Sequence, residues 1–233
     1  MSAKRVFLEE NRVEGLKEAI VVLPIASIEY HGVLPVGSDL LISRCVMTEF
    51  ARFIRDDEDN VLIAPIIPYS VAVEHEEAGP TITVMPDTFA RYLYEVLVSL
   101  HSFARGVVVT VFHGGVYPVA YATARWAMRS TGKRIITDSF WEHASKIVED
   151  EVPGYNILHA DFVEASILAA CGYEEGLNGE TKKAETMPKR PKFSPWMGRD
   201  IEYPEEPVPY SLELGKKIIE SYISHLHKLV RIL

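Results

Sequence analysis

Gly106-Val107-Val108-Val109-Thr110-Val111-Phe112 is the most β-branched run in the chain, and His113-Gly114-Gly115 follows it at once. β-Branched side chains fit a pleated surface covered on both faces, so this run reads as a central strand. Downstream, Tyr117 to Thr131 has helical spacing and is closed by Gly132, and Arg134 to Phe140 is another strand. Upstream, Ala19-Ile20-Val21-Val22-Leu23-Pro24-Ile25 reads as a second buried strand. Leu40 to Arg55 then carries Leu41, Val46, Met47, Phe50 and Ile54 at helical spacing. Val61 to Ile67 and Thr81 to Val84 are further strands, and Pro86-Asp87 opens a helix that reaches Ala104. Helices at Trp141 to Glu149, Asp161 to Cys171 and Ser211 to Leu233 complete the pattern. Strands separated by helices of this length predict βαβ units, and hence a three-layer α/β/α fold with a mainly parallel β-sheet. Residues 1–233 read as a single domain, with Leu23, Val46, Phe50, Ile63, Leu93, Val109 and Val111 in its core.

The chain has 233 residues, 24 Lys+Arg and 33 Asp+Glu, so its formal net charge of −9 disfavours a partner held by phosphate neutralisation. No apolar run approaches the roughly 18 residues that span a bilayer. The opening MSAKRVFLEENRVEG turns acidic before any apolar stretch develops, unlike a secretory leader. A cytoplasmic protein is expected, with Cys45 and Cys171 as two buried thiols in helix-like surroundings. From Tyr173 to Tyr210 the periodicity stops and prolines such as Pro188, Pro191, Pro195 and Pro204 are interspersed with charges. That irregular Pro-rich segment at 173–210 is expected to be a linker, a lid or an assembly arm. His101, His143, His225 and His227 read as surface or capping groups, Trp126 and Trp141 as helix packing, and Trp196 as a loop anchor.

Three polar clusters fall where strands end or helices begin, the places where ligands collect in open α/β sheets. The first is Ser27-Ile28-Glu29-Tyr30-His31-Gly32 with Gly37-Ser38-Asp39, the second His113-Gly114-Gly115, and the third His159-Ala160-Asp161-Phe162-Val163-Glu164. Together they supply the carboxylates Glu29, Asp39 and Glu164 and the imidazoles His31, His113 and His159. Mixed nitrogen and oxygen donors suit Zn²⁺, Mn²⁺ or Fe²⁺, and two lone cysteines exclude a thiolate site. Singly, each cluster has a plainer reading: a solvated turn, a tight turn whose glycines take positive φ, and an ordinary helix start.

In their order and spacing, LPIASIEYHGVLPVGSD (Leu23 to Asp39), PIIPYSVAVEHEEAGPTITV (Pro65 to Val84), the HGG turn and HADFVEAS resemble the creatininase (creatinine amidohydrolase) family over residues 19–172. The resemblance implies an α/β fold holding two divalent metal ions (Zn, Mn or Fe). By position, Glu29 and His113 match ligands of one ion, His31 a ligand of the other, and Asp39 the carboxylate bridging both. With His-Gly-Gly in place of His-Tyr-Glu, Glu164 matches the remaining ligand, and His159 matches a general acid/base beside the scissile amide. Glu74, His75 and Glu76 match a family stretch as pocket or interface lining. The family pattern Glu-x-His-Gly-x-His-Leu-Pro-x-x-Thr-Asp is one residue shorter here between Gly32 and Leu34, lacks the second histidine, and has Ser38 for Thr. Val111-Phe112 and Val116 flank His-Gly-Gly where the family has asparagines.

The function implied is metal-dependent amidohydrolysis of a non-peptide C–N bond, in a cyclic amide or a formamide, by a metal-bound hydroxide. The motif set also resembles the archaeal formamidopyrimidine-nucleotide deformylases of flavin and deazaflavin synthesis. For those, Lys189, Arg190, Lys192 and Arg199 would meet the substrate phosphate. A non-catalytic, metal-stabilised binding or assembly protein is the reading from another class. The partners implied are a small-molecule substrate and further copies of the chain, a hexamer by resemblance, with neither nucleic acid nor membrane.

Overall fold

A computed structural model describes residues 5–57, 59–181 and 201–233. Four strands, β1 (Ile20–Ile25), β2 (Val61–Ile63), β3 (Gly106–Val111) and β4 (Arg134–Ser139), form a parallel sheet in the order β2-β1-β3-β4. The register sets Val22 between Ile63 and Val108. Around the sheet stand α1 (Val13–Leu16), α2 (Ser38–Phe53), α3 (Pro86–Leu100), α4 (Tyr117–Thr131), α5 (Phe140–Glu151), α6 (Phe162–Ala170) and α7 (Leu212–Ile232).

Strand alternation sorts the side chains into two cores. Ile20, Val22 and Val108 face α2, α5, α6 and α7, where Phe50, Phe140, Ile167 and Tyr222 are buried. Val21, Leu23, Val107 and Val109 face α3 and α4, against Phe89, Leu93, Leu97 and Ala124. Helices therefore cover both faces of a mainly parallel sheet, the three-layer α/β/α arrangement that its buried β-branched strands require. All seven core residues expected from the sequence are buried. The connections leaving β1 and β3 run in opposite directions, so a crevice opens between their carboxyl ends.

Several local expectations are corrected. β2 stops at Ile63, before Pro65, which has no N–H to give a ladder; the sheet resumes only as a bridge between Ile25 and Ile67. Thr81 to Val84 forms no strand, only a bridge from Ile82 to Ile28. Within 173–210, the described residues include a parallel pair, β5 (Leu177–Glu180) with β6 (Val208–Tyr210), while Trp196 and the prolines at 188, 191 and 195 lie outside the described residues. His101 is buried, its Nδ1 3.0 Å from the Thr131 hydroxyl, and Trp126 is 55% exposed, stacked on Tyr94. No helix among the described residues is long and apolar enough to cross a membrane.

The two cysteines are not free thiols. Cys45 on α2 and Cys171 at the end of α6 form a disulfide across 126 residues of sequence, and both are part-buried. Spacing could not reveal this, because the pairing depends on α2 packing beside α6. Closing so long a loop restricts the unfolded chain, for about 2–4 kcal/mol of stability. Reduction, or Cys171→Ser, is expected to cost about that much in urea unfolding. Identical curves with and without reductant would contradict the bond.

Candidate metal centre

The crevice is furnished by chain segments that turn sharply after their strands. Beyond β1, hydrogen bonds from Glu29 N to Val36 O (2.8 Å) and from Leu34 N to His31 O (3.1 Å) fold residues 29–36 back on themselves. Gly37 then caps α2, which places Asp39 in its first turn, where an anion suits the helix N-terminus. The connection one residue short of the family pattern thus still delivers Asp39 to the crevice, and the Ser27 hydroxyl donates to its Oδ2 at 2.8 Å. His113 follows directly on β3. The Asp161 carboxylate accepts from Val163 N and Glu164 N to start α6, with Glu164 in the first turn. Ala160, in the left-handed region at φ 53°, makes the bend between His159 and that cap.

These turns bring all six residues expected from the sequence together. His113 Nδ1 lies 3.0 Å from Glu29 Oε2 and 3.2 Å from Asp39 Oδ2. His31 Nε2 is 2.9 Å from Glu164 Oε1 and 3.9 Å from Glu29 Oε1. Its Nδ1–H donates to the carbonyl of Glu29 at 2.8 Å, which leaves Nε2 facing inward. His159 Nε2 donates to Tyr30 O at 2.7 Å, and its Nδ1 faces Glu29 Oε1 at 3.6 Å. A cavity of ≈560 Å³ opens over the cluster, with Tyr117, Trp141 and Leu158 in its wall and no Lys or Arg among the described residues that line it.

Two further groups join the cluster from the turn at Val73–His75. His75 is buried with Nε2 3.3 Å from Glu29 Oε1, its Nδ1 2.8 Å from the Tyr203 hydroxyl and its ring stacked on His159. Glu74 Oε1 approaches His113 Nε2 at 3.5 Å. In the sequence both residues sit in an aperiodic stretch, and nothing but their place in the Pro65–Val84 run set them apart. Tyr203 carried no signal at all.

Burying this many ionisable groups perturbs them strongly. Burial alone would push the His31 imidazole down, but Glu164, then Glu29 and Asp39, outweigh it and raise its pKa to about 10. His113 is likewise raised, by Glu29 and Asp39 against burial. Glu29 is lowered, because His113 overcomes the opposing effect of burial. His159 is driven well down by burial and by His31 and His75, so it is neutral. Even so, both oxygens of Glu29, Oε1 of Glu164 and Nε2 of His31 have no aligned hydrogen-bond partner. Buried polar atoms are rarely left unmade, and a convergent set of nitrogen and oxygen donors is what a divalent cation requires. His31–Asp39–Glu164, Glu29–His75–His113 and Glu29–His31–His159 are each close enough to share an ion, with ligand atoms within 4.8 Å of one another.

Comparison with known proteins bears on the fold and the family. The family model Creatininase (creatinine amidohydrolase) matches residues 8–230. A creatininase structure with manganese superposes at TM-score 0.75 with 17% identity over 98% of both chains, and a Zn-Zn mutant creatininase does so with the same figures. The mycofactocin precursor peptide peptidase of Mycobacterium tuberculosis is 33% identical over 101 residues, which is 41% of this chain and 40% of that protein. The match therefore spans about two fifths of the curated relative's length.

A raised folded-state pKa contributes its stability in full below the ordinary value of 6.5 and loses it as pH climbs through about 10. Chelator-treated protein is therefore expected to lose stability between pH 6.5 and about 10 as His31 deprotonates among carboxylates. Divalent ions, which displace that proton, should abolish the dependence. Thermal unfolding at stepped pH, with and without added Zn²⁺, checks this, and a flat profile for the metal-free protein would contradict it.

Proposed function

The chain belongs to the creatininase family, and from that premise we propose a metal-dependent amidohydrolase that cleaves a non-peptide C–N bond in a cyclic amide or a formamide. The observation that carries this reading is the buried convergence of carboxylate oxygens and imidazole nitrogens, several without an aligned hydrogen bond, beneath an open cavity. In this reading Glu29, His113 and Asp39 hold one divalent ion and His31, Asp39 and Glu164 the other. Asp39 is the shared ligand, since its Oδ2 faces His113 while the residue also groups with His31 and Glu164. Bound there, zinc, manganese or iron would supply a Lewis acid for the carbonyl oxygen and lower the pKa of a water from 15.7 towards about 7.

The remaining chemistry belongs to the chain's own side chains. His159, one of the cavity-lining residues, is neutral, with one proton fixed on Nε2 by the Tyr30 carbonyl, so Nδ1 carries the free lone pair, 3.6 Å from Glu29 Oε1. From there Nδ1 takes a proton from the attacking water and returns it to the departing nitrogen, otherwise a poor leaving group. Trp141, tethered by its Nε1–H to Phe112 O, and Leu158 form apolar wall suited to a small organic substrate.

The deformylase alternative would rest on Lys189, Arg190, Lys192 and Arg199, which lie outside the described residues. The curated peptidase relative keeps peptide amides within the panel worth testing. We read residues 1–233 as one hydrolase domain. We also infer a homo-oligomer, a hexamer by family. Exposed Tyr92 on α3, Met85 at its N-cap, and Trp126 and Tyr121 on α4 support it, because large apolar side chains left outside are what association surfaces use.

Metal analysis joined to an amidase screen tests this function. Asp39→Asn removes charge where two dications repel most, and is expected to lose at least one ion and nearly all turnover with the fold intact. Glu164→Gln should impair one site only. His159→Ala should keep both ions while turnover falls about 10²–10⁴-fold. Equal metal content in wild type and Asp39→Asn would refute the shared ligand, and full metal with no amidase activity would favour the assembly-protein reading. Separately, light scattering at micromolar concentration should report an oligomer, and a monomer would remove that inference.

A further inference from the structure

His113 has two ring nitrogens in two different settings. Nδ1 faces the carboxylates of Glu29 and Asp39, and Nε2 points the other way, buried and without an aligned hydrogen bond. The group nearest Nε2 among its ionic contacts is the Glu74 carboxylate, whose Oε1 is 3.5 Å away. The sheet does not supply that carboxylate. It comes from the turn at Val73–His75, which closes over the carboxyl ends of the strands.

Gly115 shows how closely the two segments fit. Neither Gly114 nor Gly115 has positive φ, so the turn after β3 does not need glycine for its backbone, and the plainer reading of this turn does not hold. A Cβ on residue 115 would lie 1.7 Å from Glu74 Oε1 and 2.7 Å from His113 Nε2. The missing side chain at Gly115 leaves the space that the Glu74 carboxylate occupies. At Gly114 a Cβ would meet nothing within 4 Å, so the constraint is specific to the second glycine.

We propose that Glu74 is a positioning residue that holds the His113 imidazole by its Nε2–H, so that Nδ1 is presented to a metal ion, and that Gly115 exists to admit it. The proposal rests on the metal-centre reading above. A ligand imidazole keeps its tautomer and ring angle through the partner of its far nitrogen, and a carboxylate in that place also makes the ring a stronger donor. Glu74 is 17% exposed at its side chain, so the pair is partly shielded from water. The pairing joins two loops that are distant in sequence, the one before α3 and the one after β3.

Metal-stripped wild type, Glu74→Ala, Glu74→Gln, Glu74→Asp and Gly115→Ala, titrated with Zn²⁺ against a chromophoric chelator, separate the outcomes. Glu74→Ala and Gly115→Ala are expected to weaken the ion held through His113 by about 10–100-fold, the usual effect of losing such a partner. The ion at His31 and Glu164 should keep its wild-type affinity. Glu74→Asp should recover part of the loss, and the Co²⁺ absorption bands should shift in Glu74→Gln. Wild-type affinity and an unchanged Co²⁺ spectrum in Glu74→Ala and Gly115→Ala would overturn the proposal. So would a lower melting temperature of the metal-free variants with affinity unchanged, since that is all a merely structural role would produce. If wild type itself takes up no divalent ion, the metal-centre reading fails and this proposal with it; uptake by wild type with unaltered variants removes only the role of Glu74.

Discussion

Three carboxylates packed inside one crevice are the constraint to which the rest of the molecule answers. Glu29, Asp39 and Glu164 are each no more than 3% exposed. Even after relaxation, burying one ionised carboxylate costs several kcal/mol unless positive charge comes with it. In the metal-free protein the compensation is protonic: His31 and His113 are held charged by the carboxylates beside them. That arrangement leaves oxygen and nitrogen atoms without hydrogen-bond partners, whereas dications would satisfy them directly. Protons stand in for metal ions, and stand in incompletely.

The fold can hold such a cluster because the hydrophobic layers on both sides of the sheet are extensive and independent of it. Asp39 and Glu164 occupy the first turns of α2 and α6, where the helix dipole favours an anion, and the Cys45–Cys171 disulfide joins those helices further along. A second clasp comes from Ile201–Pro204. Pro204 O accepts from Val33 N at 3.1 Å, and Tyr203 reaches His75 with its hydroxyl. Gly32, at φ 61°, permits this approach, since a Cβ there would sit 2.4 Å from Pro204 O. The segment between His31 and Asp39 is therefore braced against Pro204.

What the sequence disclosed follows from which interactions are local. β1 and β3 were legible because consecutive β-branched residues leave few alternatives, and Glu29, His31, Asp39, His113, His159 and Glu164 because each sits where an element ends or begins. Glu74 and His75 were marked only as pocket or interface lining, through the resemblance, and Tyr203 not at all, because an aperiodic loop gives no sign of what it folds over. The disulfide was hidden for a related reason: Cys45 and Cys171 look like ordinary helix residues until α2 and α6 are set side by side. The plainer reading of Gly115, backbone freedom, does not hold, and nothing in the sequence signals that the space it leaves is taken by a carboxylate from another loop. Trp126 misled in the opposite direction, since an amphipathic aromatic on α4 reads as core whether it packs inward or, as here, outward.

The central claim is that this buried cluster is a cation site. Crystals grown with Zn²⁺ and without chelator, measured on both sides of the zinc absorption edge, test it most directly. Anomalous difference peaks are expected within bonding distance of Glu29, His31, Asp39, His113 and Glu164, with Asp39 contacting more than one peak. Well-ordered side chains with no anomalous peak among them, or zinc bound only at the protein surface, would contradict the account.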